Sequence, residues 1–221
     1  MKLTIIAATG GIGRLILEQA VAAGHEVTAV VRNPSRLTLD VPSATVDMAV
    51  PDPETLRSAV TGADAVLSGL GAHRRSEAGV ASRGTRAIVI AMRAAGAQRL
   101  VVVSAAPVGT VASPARPHPP KHDPGDGPLM RYVVGPAVKA ALGWVYTDLA
   151  LMEDAVRESG LEWTVVRPPR LTNGPLTGTY RTAYGQNLPR GTSVSRADVA
   201  NLMLRLAEDP AAIGQVVGVA R

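Results

Sequence analysis

Residues 7–14 read Ala-Ala-Thr-Gly-Gly-Ile-Gly-Arg and join an apolar run at 3–8 to an amphipathic stretch from Gly11 to Ala23. Glycines between a strand and a helix let backbone N–H groups approach an anion closely, and the helix N-terminus adds a partial positive charge. In that setting the pattern fits the pyrophosphate of a dinucleotide, with Thr9, Gly10, Gly11, Ile12, Gly13 and Arg14 as the expected contacts. The second apolar run ends in Arg32 and Asn33, followed by Arg36, with no acid among them. A carboxylate there would take a ribose hydroxyl of NAD, whereas a guanidinium fork takes a 2′-phosphate through two parallel hydrogen bonds. The expected cofactor is therefore NADPH (NADP+).

Other chemistries are excluded by residue type. The chain of 221 residues has no cysteine, which removes a thiol nucleophile, a disulfide framework and a cysteine zinc site together. His118 and His122 share a loop without a third ligand at metal-binding spacing, so no metal is expected. The formal net charge is +5, from 23 Lys plus Arg against 18 Asp plus Glu, and only Lys2, Lys121 and Lys139 of those cations are lysines. A basic balance can mark nucleic-acid binding. Here the arginines are scattered, with Arg74-Arg75 the only doublet, and two Trp, four Tyr and no Phe leave few rings to stack on bases. No nucleic-acid partner is expected. No membrane partner is expected either: no uncharged apolar stretch reaches the roughly 18 residues of a spanning helix, and the run at 3–8 is too short for a signal-peptide core. A cytoplasmic protein, monomeric or homodimeric, is the expectation.

A scaffold must hold the glycine loop and the arginines together, and the hydrophobic pattern supplies one. Strands are expected at 3–8, 26–32, 44–47, 64–71, 99–106 and 163–168, with a last one at 216–219. Helices are expected from Gly11 to Ala23, from the Asp52-Pro53-Glu54 start, in a stretch ending at Gly96, from Tyr146 to Ser159, and from a Ser195/Asp198 cap through Glu208. Strand, helix, strand at this spacing demands parallel pairing, and near-continuous apolar strands such as VVVSAA imply a sheet covered on both faces. The fold class expected is α/β: a Rossmann-type doubly wound parallel sheet with helices on both faces and a small C-terminal substrate-side region. It occupies residues 1–221 as a single domain. Seven prolines make 107–128 a loop or lid rather than helix or central strand, and 168–195 reads as substrate-side loops.

Nearly the whole chain resembles the NmrA-like branch of the atypical short-chain dehydrogenase/reductases, which includes the flavin reductase (biliverdin-IXβ reductase) group. AATGGIG is similar to that branch's GATGxxG loop, with Ala7 at its first glycine, and ESGLEWTVVRPPRLTNGPLTGTYR (158–181) is similar to its Pro-Pro and P-L-T-G-x-Y block. The resemblance implies adenine contacts at Asp47 and Met48, nicotinamide-ribose contacts at Leu70, Gly71 and Ala72, and cofactor contacts at Ser104 and Pro168. It also implies three catalytic candidates. Arg170 faces the acceptor where the flavin reductases carry His. Ser104 stands one place before the family's reactive serine, where this chain has Ala105. Tyr146, with Asp148 nearby, lies on the helix corresponding to the family's active-site helix.

The chemistry departs from the superfamily's. Its usual proton relay is Y-x-x-x-K, in which the lysine lowers the tyrosine pKa. None of Tyr132, Tyr146, Tyr180 or Tyr184 has a lysine four residues later. Arg170 cannot be a general acid near neutral pH, but it can hold an anion or stabilise developing negative charge. What survives is hydride transfer to an acceptor that takes its proton from water: a flavin, a quinone-like compound or another conjugated, anionic small molecule. His73-Arg74-Arg75, Arg167, Arg170, Arg181 and Arg190 would line the rim that receives it. The alternatives are a non-catalytic NADP-binding redox sensor and a reductase that tailors a specialised metabolite.

Overall fold

Strand β1 (Lys2–Ile6) is buried from its second residue onward, with Ile5 and Ile6 fully enclosed. Apolar side chains on both of its faces require cover on both sides, and the chain provides it by alternating strands with helices. The computed structural model describes residues 1–72, 74–128 and 130–221. After β1 come α1 (Gly13–Ala22), β2 (Glu26–Val31), β3 (Ser43–Thr45), α2 (Pro53–Val60), β4 (Ala65–Ser68), α3 (Val80–Ala95) and β5 (Arg99–Val103). The second half contains α4 (Gly135–Arg157), β6 (Glu162–Arg167), β7 (Arg170–Thr172), β8 (Arg181–Tyr184), β9 (Ser193–Ser195), α5 (Arg196–Glu208) and β10 (Gln215–Ala220).

Eight strands form one sheet in the order β3-β2-β1-β4-β5-β6-β10-β8, and β7 pairs with β9 in a separate two-stranded sheet. All pairings in the large sheet are parallel except that of β8 with β10. The chain winds outward in one direction from β1 to β3, returns to β4, and then winds the other way. This is the doubly wound Rossmann-type arrangement, with its crossover point between β1 and β4. Two buried clusters flank the sheet: α1 and α5 pack on one face, α2, α3 and α4 on the other. Without phenylalanine, the fully buried side chains are Ile5, Ile16, Leu17, Leu56, Leu67, Ile88, Leu100, Met92 and similar aliphatics. Each such burial contributes about 1.5–3 kcal/mol, so the core is built from aliphatic side chains without aromatic bulk.

Helix ends follow the local chemistry of the sequence. Asp52 caps α2 by accepting from the Thr55 backbone N–H at 2.8 Å, with Pro53 at the first helical position. Ser195 caps α5 by accepting from the Asp198 N–H at 2.9 Å. Gly96, at φ 76°, ends α3. Among the described residues no helix is long and apolar enough to cross a membrane.

Three features depart from the sequence pattern. Helix α4 starts at Gly135, not at Tyr146, because its first turns are half-exposed and carry Pro136 and Gly143, which hide the amphipathic period; a kink at Leu142 (φ −118°, ψ 17°) divides the two parts. The strands β7, β8 and β9 each span three or four residues, too few to show an alternation. The proline-rich segment is fixed at both ends rather than free. Ser113 Oγ and the Ala115 N–H donate to Asp154 of α4 at 2.8 and 3.1 Å, while Asp123 accepts from the N–H groups of Gly125 and Asn187 at 2.9 and 2.8 Å.

Candidate functional site

The glycine loop sits at the crossover point, where the backbone leaves β1. Ala7 turns the chain at φ 58°, and its carbonyl accepts from the Gly10 N–H at 2.8 Å. A Cβ on Gly13 would stand 2.2 Å from that carbonyl oxygen, and one on Gly69, just past β4, would stand 2.8 Å from the Gly13 nitrogen. The loop is therefore packed so closely against the sheet that only glycine fits at both places. Helix α1 begins here with Ile12 at its N-cap, no side-chain cap and no acid in its first turn. The Arg14 N–H donates to the Gly10 carbonyl at 2.9 Å, which folds the loop onto the start of the helix, and the N-terminal end of α1 carries its partial positive charge here. That end suits an anion, and the residues present fit the pyrophosphate of a dinucleotide.

The loops after β2, β3 and β4 continue this edge of the sheet. Arg32 and Arg36 are exposed; Asn33 forms the turn between them, its Oδ1 accepting from the Ser35 N–H at 3.0 Å. Arg32 Nη1 lies 3.7 Å from Glu77 Oε1, beyond β4. Asp47 is exposed and accepts from the Ala49 N–H at 3.0 Å, whereas Met48 and Leu70 are buried side by side over Gly84 of α3. Gly71 and Ala72 are half-buried next to them. His73 lies outside the described residues.

The catalytic candidates separate. Ser104 follows β5 and is buried, its Oγ donating to Glu153 Oε1 at 2.7 Å. Glu153 is fully buried on α4 and is also gripped by Arg167 (Nε to Oε1 at 2.8 Å, Nη2 to Oε2 at 2.5 Å) and by Arg157 Nη2 at 2.7 Å. Burial alone would raise this carboxyl, but hydrogen bonds and charge from Arg167, then Arg157 and Ser104, hold it below the ordinary carboxylate range. The hydroxyl proton of Ser104 is thus committed to a buried carboxylate. Tyr146 is buried among aliphatic residues of α3, α4 and the sheet, and burial pushes its phenol above the ordinary value. That is the opposite of what a tyrosine acid requires. Neighbouring Asp148 is also buried and accepts from the N–H groups of Gly79, Ala81 and Ser82 at 3.0–3.1 Å, so it holds the start of α3.

The arginine rim is smaller than the sequence implied. Arg167 is removed from it by the ion pair with Glu153, because β6 delivers its last residue under the loops rather than above them. Arg181 is exposed and directs two of its donors to the carbonyls of Pro189 and Arg221. Arg74, Arg75 and Arg190 are exposed, and so is Arg170 at the start of β7, two residues after the buried Pro168. The carbonyl of Pro168 accepts from the Ala106 N–H at 2.9 Å, which ties the Pro-Pro turn to the end of β5. The P-L-T-G-x-Y block is held by α5. Asp198 accepts from the N–H groups of Thr177 and Gly178 at 2.8 and 3.0 Å, and Tyr180 donates to Asn201 Oδ1 at 2.9 Å. Glu153 was not singled out by sequence. Its signal was an acid in the apolar stripe Leu149, Met152 and Val156, a place that requires a buried partner.

Comparison with known proteins completes the description. The family profile described as NAD(P)H-binding matches residues 7–210. A 3-diazoavenalumate denitrifying reductase from Streptomyces is 34% identical over 195 residues, 82% of this chain and 59% of that protein, so the chain spans less than two thirds of the relative's length. Among solved structures, the oxidoreductase ylbE from Lactococcus lactis matches with a TM-score of 0.79 at 20% identity, covering 100% of this chain and 91% of the other. ChuY, an anaerobilin reductase from Escherichia coli O157:H7, matches at 0.76 and 24%, covering 100% and 97%. A protein of Streptococcus pneumoniae assigned as an NADH-flavin reductase matches at 0.75 and 25%, covering 100% and 99%.

Proposed function

Because this chain belongs to the NAD(P)H-binding family, we propose that it is an NAD(P)H-dependent oxidoreductase that reduces a flavin, quinone-like or other conjugated anionic small molecule, with NADPH as the preferred donor. The observation that carries this reading is the state of the acid–base candidates. Ser104 donates to Glu153, and the phenol of Tyr146 is buried with its pKa raised. Neither group is set to deliver a proton to an acceptor. Acceptors that need only a hydride from the enzyme and take their proton from water fit such a site; carbonyl reduction, which needs an acid at the developing alkoxide, does not.

When bound, the dinucleotide supplies the hydride from its nicotinamide. The residues of the chain bind and orient. The loop at 9–14 and the uncapped N-terminus of α1 hold the pyrophosphate, Arg32 and Arg36 take the 2′-phosphate, Asp47 and Met48 border the adenine, and Leu70, Gly71, Ala72, Ser104 and Pro168 border the nicotinamide end. Arg170 is the residue assigned to the acceptor: exposed on β7, it attracts the acceptor's anionic group and stabilises the negative charge that hydride addition creates. The curated relative's name describes a reductase of a diazo carboxylate, which agrees with an anionic acceptor.

The test is NADPH oxidation followed by absorbance with FMN, FAD, quinones, a linear tetrapyrrole and a diazo-bearing carboxylate. Turnover with at least one is expected, and Arg170→Ala should raise KM for that acceptor. Tight NADPH binding without turnover on any of them would defeat the proposal.

A further inference from the structure

A cavity of about 340 Å³ opens beside the phosphate loop, lined by Gly11, Arg14, Leu15, Asn173, Gly174 and Arg196. It joins two parts of the chain that are distant in sequence: the loop leading into α1 and the segment between β7 and α5. Arg196, the first residue of α5, lies directly on the loop. A Cβ on Gly11 would stand 3.1 Å from its Nε and 3.2 Å from its Cδ. Its Nη1 donates to Asn173 Oδ1 at 2.7 Å. A guanidinium has five N–H donors, and among the described residues this neutral amide is the hydrogen-bond partner of Arg196. The other cation in the cavity, Arg14, is already paired, with Glu18 at 2.5 Å. Two guanidinium groups line the cavity, one of them paired with Glu18 of α1, next to a helix start that lacks both a side-chain cap and an acid in its first turn.

We infer that Arg196, oriented by Asn173, is the side-chain arm of the phosphate loop and binds the pyrophosphate of the dinucleotide beside Gly11. The inference rests on the cofactor reading above and adds, from the far end of the chain, a guanidinium to the backbone donors of the glycine motif. It also gives Asn173 a purpose. Asn173 directly follows β7, whose first residue is Arg170, so one guanidinium holds both the cofactor's charged centre and the strand that presents the acceptor's arginine. Glycine at residue 11 also leaves Arg196 its present place, since a Cβ there would press on its Nε and Cδ.

Binding, rather than turnover, tests this. The whole chain and its variants are titrated calorimetrically with NADP+ and with 2′-AMP, which keeps the adenine and the 2′-phosphate but has no pyrophosphate. Arg196→Gln should weaken NADP+ about tenfold, the loss of a charge-assisted hydrogen bond, and leave 2′-AMP within about twofold. Arg196→Lys should fall between wild type and Gln, because it keeps the charge and loses the fork. Asn173→Ala should weaken NADP+ about threefold by freeing the guanidinium. Unchanged NADP+ affinity in Arg196→Gln overturns the inference, and so does equal weakening of both ligands, which would mean a general distortion of the loop. If Arg196→Gln does not fold, Arg196→Lys and Asn173→Ala decide the matter by the same ratio. A wild-type chain that binds neither ligand refutes the cofactor reading itself, a distinguishable result.

Discussion

Ala7 carries a backbone conformation that its side chain opposes. At φ 58° its methyl crowds its own peptide, a cost of about 1–2 kcal/mol relative to the right-handed region, and the family to which the loop is similar has glycine here. The conformation persists because the Ala7 carbonyl must meet the Gly10 N–H and leave room for Gly13. Ala7→Gly should therefore raise stability by about 0.5–1 kcal/mol once the greater chain entropy of glycine is deducted, as measured by urea unfolding. No gain would mean that the neighbouring loop has relaxed the strain. Glu153 is the other decisive residue. Its carboxyl is held low in the folded protein, so the stabilisation it provides is present above the unfolded carboxylate pKa and is lost as pH falls through the folded value. Glu153→Gln leaves Arg167 buried without its counter-charge and should cost about 3–5 kcal/mol at neutral pH. The variant should also show a shallower loss of stability between neutral and acid pH than wild type. Equal acid sensitivity in both would place the titrating group elsewhere.

At the scale of elements, the molecule fastens its functional loops to helices through acids. Asp148 of α4 caps α3 across the sheet face, Asp154 of α4 holds the proline-rich segment, and Asp198 of α5 holds the Thr177–Gly178 turn. Asp154 and Asp198 accept backbone and hydroxyl hydrogens from loops without regular structure, and Asp148 accepts the first-turn N–H groups of α3, which have no partner four residues back. Asp148→Ala removes three such bonds at the start of α3 and should cost about 2–3 kcal/mol in equilibrium unfolding, more than an ordinary cap, because the site is buried. A cost below that of an exposed cap would show that water replaces the carboxylate. The hydrogen bonds of the proline-rich segment to Asp154, and those joining Asp123 to Asn187, predict that it is a fixed wall and not a lid. Limited proteolysis should cut it no faster in the apo chain than in the presence of NADPH; marked protection by NADPH would show a closing lid instead.

At the scale of the whole molecule, the doubly wound order places the loops after β1, β2, β3 and β4 along one edge, so the glycine loop and the Arg32–Arg36 turn share the edge on which the proposed dinucleotide would lie. NADPH should bind about tenfold or more tightly than NADH, through the bidentate arginine–phosphate contact, and Arg32→Ala with Arg36→Ala should remove most of that difference. Since the second contact is electrostatic and exposed, raising the salt concentration should weaken NADPH more than NADH. Competitive fluorescence titrations at low and high salt measure both effects. Equal affinities for the two dinucleotides would remove the 2′-phosphate assignment.

The parallel α/β class, the order of its elements and the phosphate loop were legible in the sequence, because each depends on local rules: apolar runs too long for exposed strands, caps such as Asp52-Pro53 and Ser195/Asp198, and glycine spacing between a strand and a helix. The place of Arg32 and Arg36, just after β2 on the edge that carries the glycine loop, was legible for the same reason, and their contact with a 2′-phosphate is the proposal that the titrations test. The state of the catalytic candidates was not. Ser104 and Arg167 come from adjacent strands, and Glu153 reaches them from a helix, so their ion cluster exists only after the sheet and α4 have packed. Its members sit in the same apolar surroundings that make an unpaired charge too costly, and it is this burial that turns a candidate serine and a rim arginine into partners of a structural carboxylate. The meeting of Arg196 with Gly11 likewise spans nearly the whole chain. Local pattern determined what could bind; long-range packing decided which side chains remain available to do it.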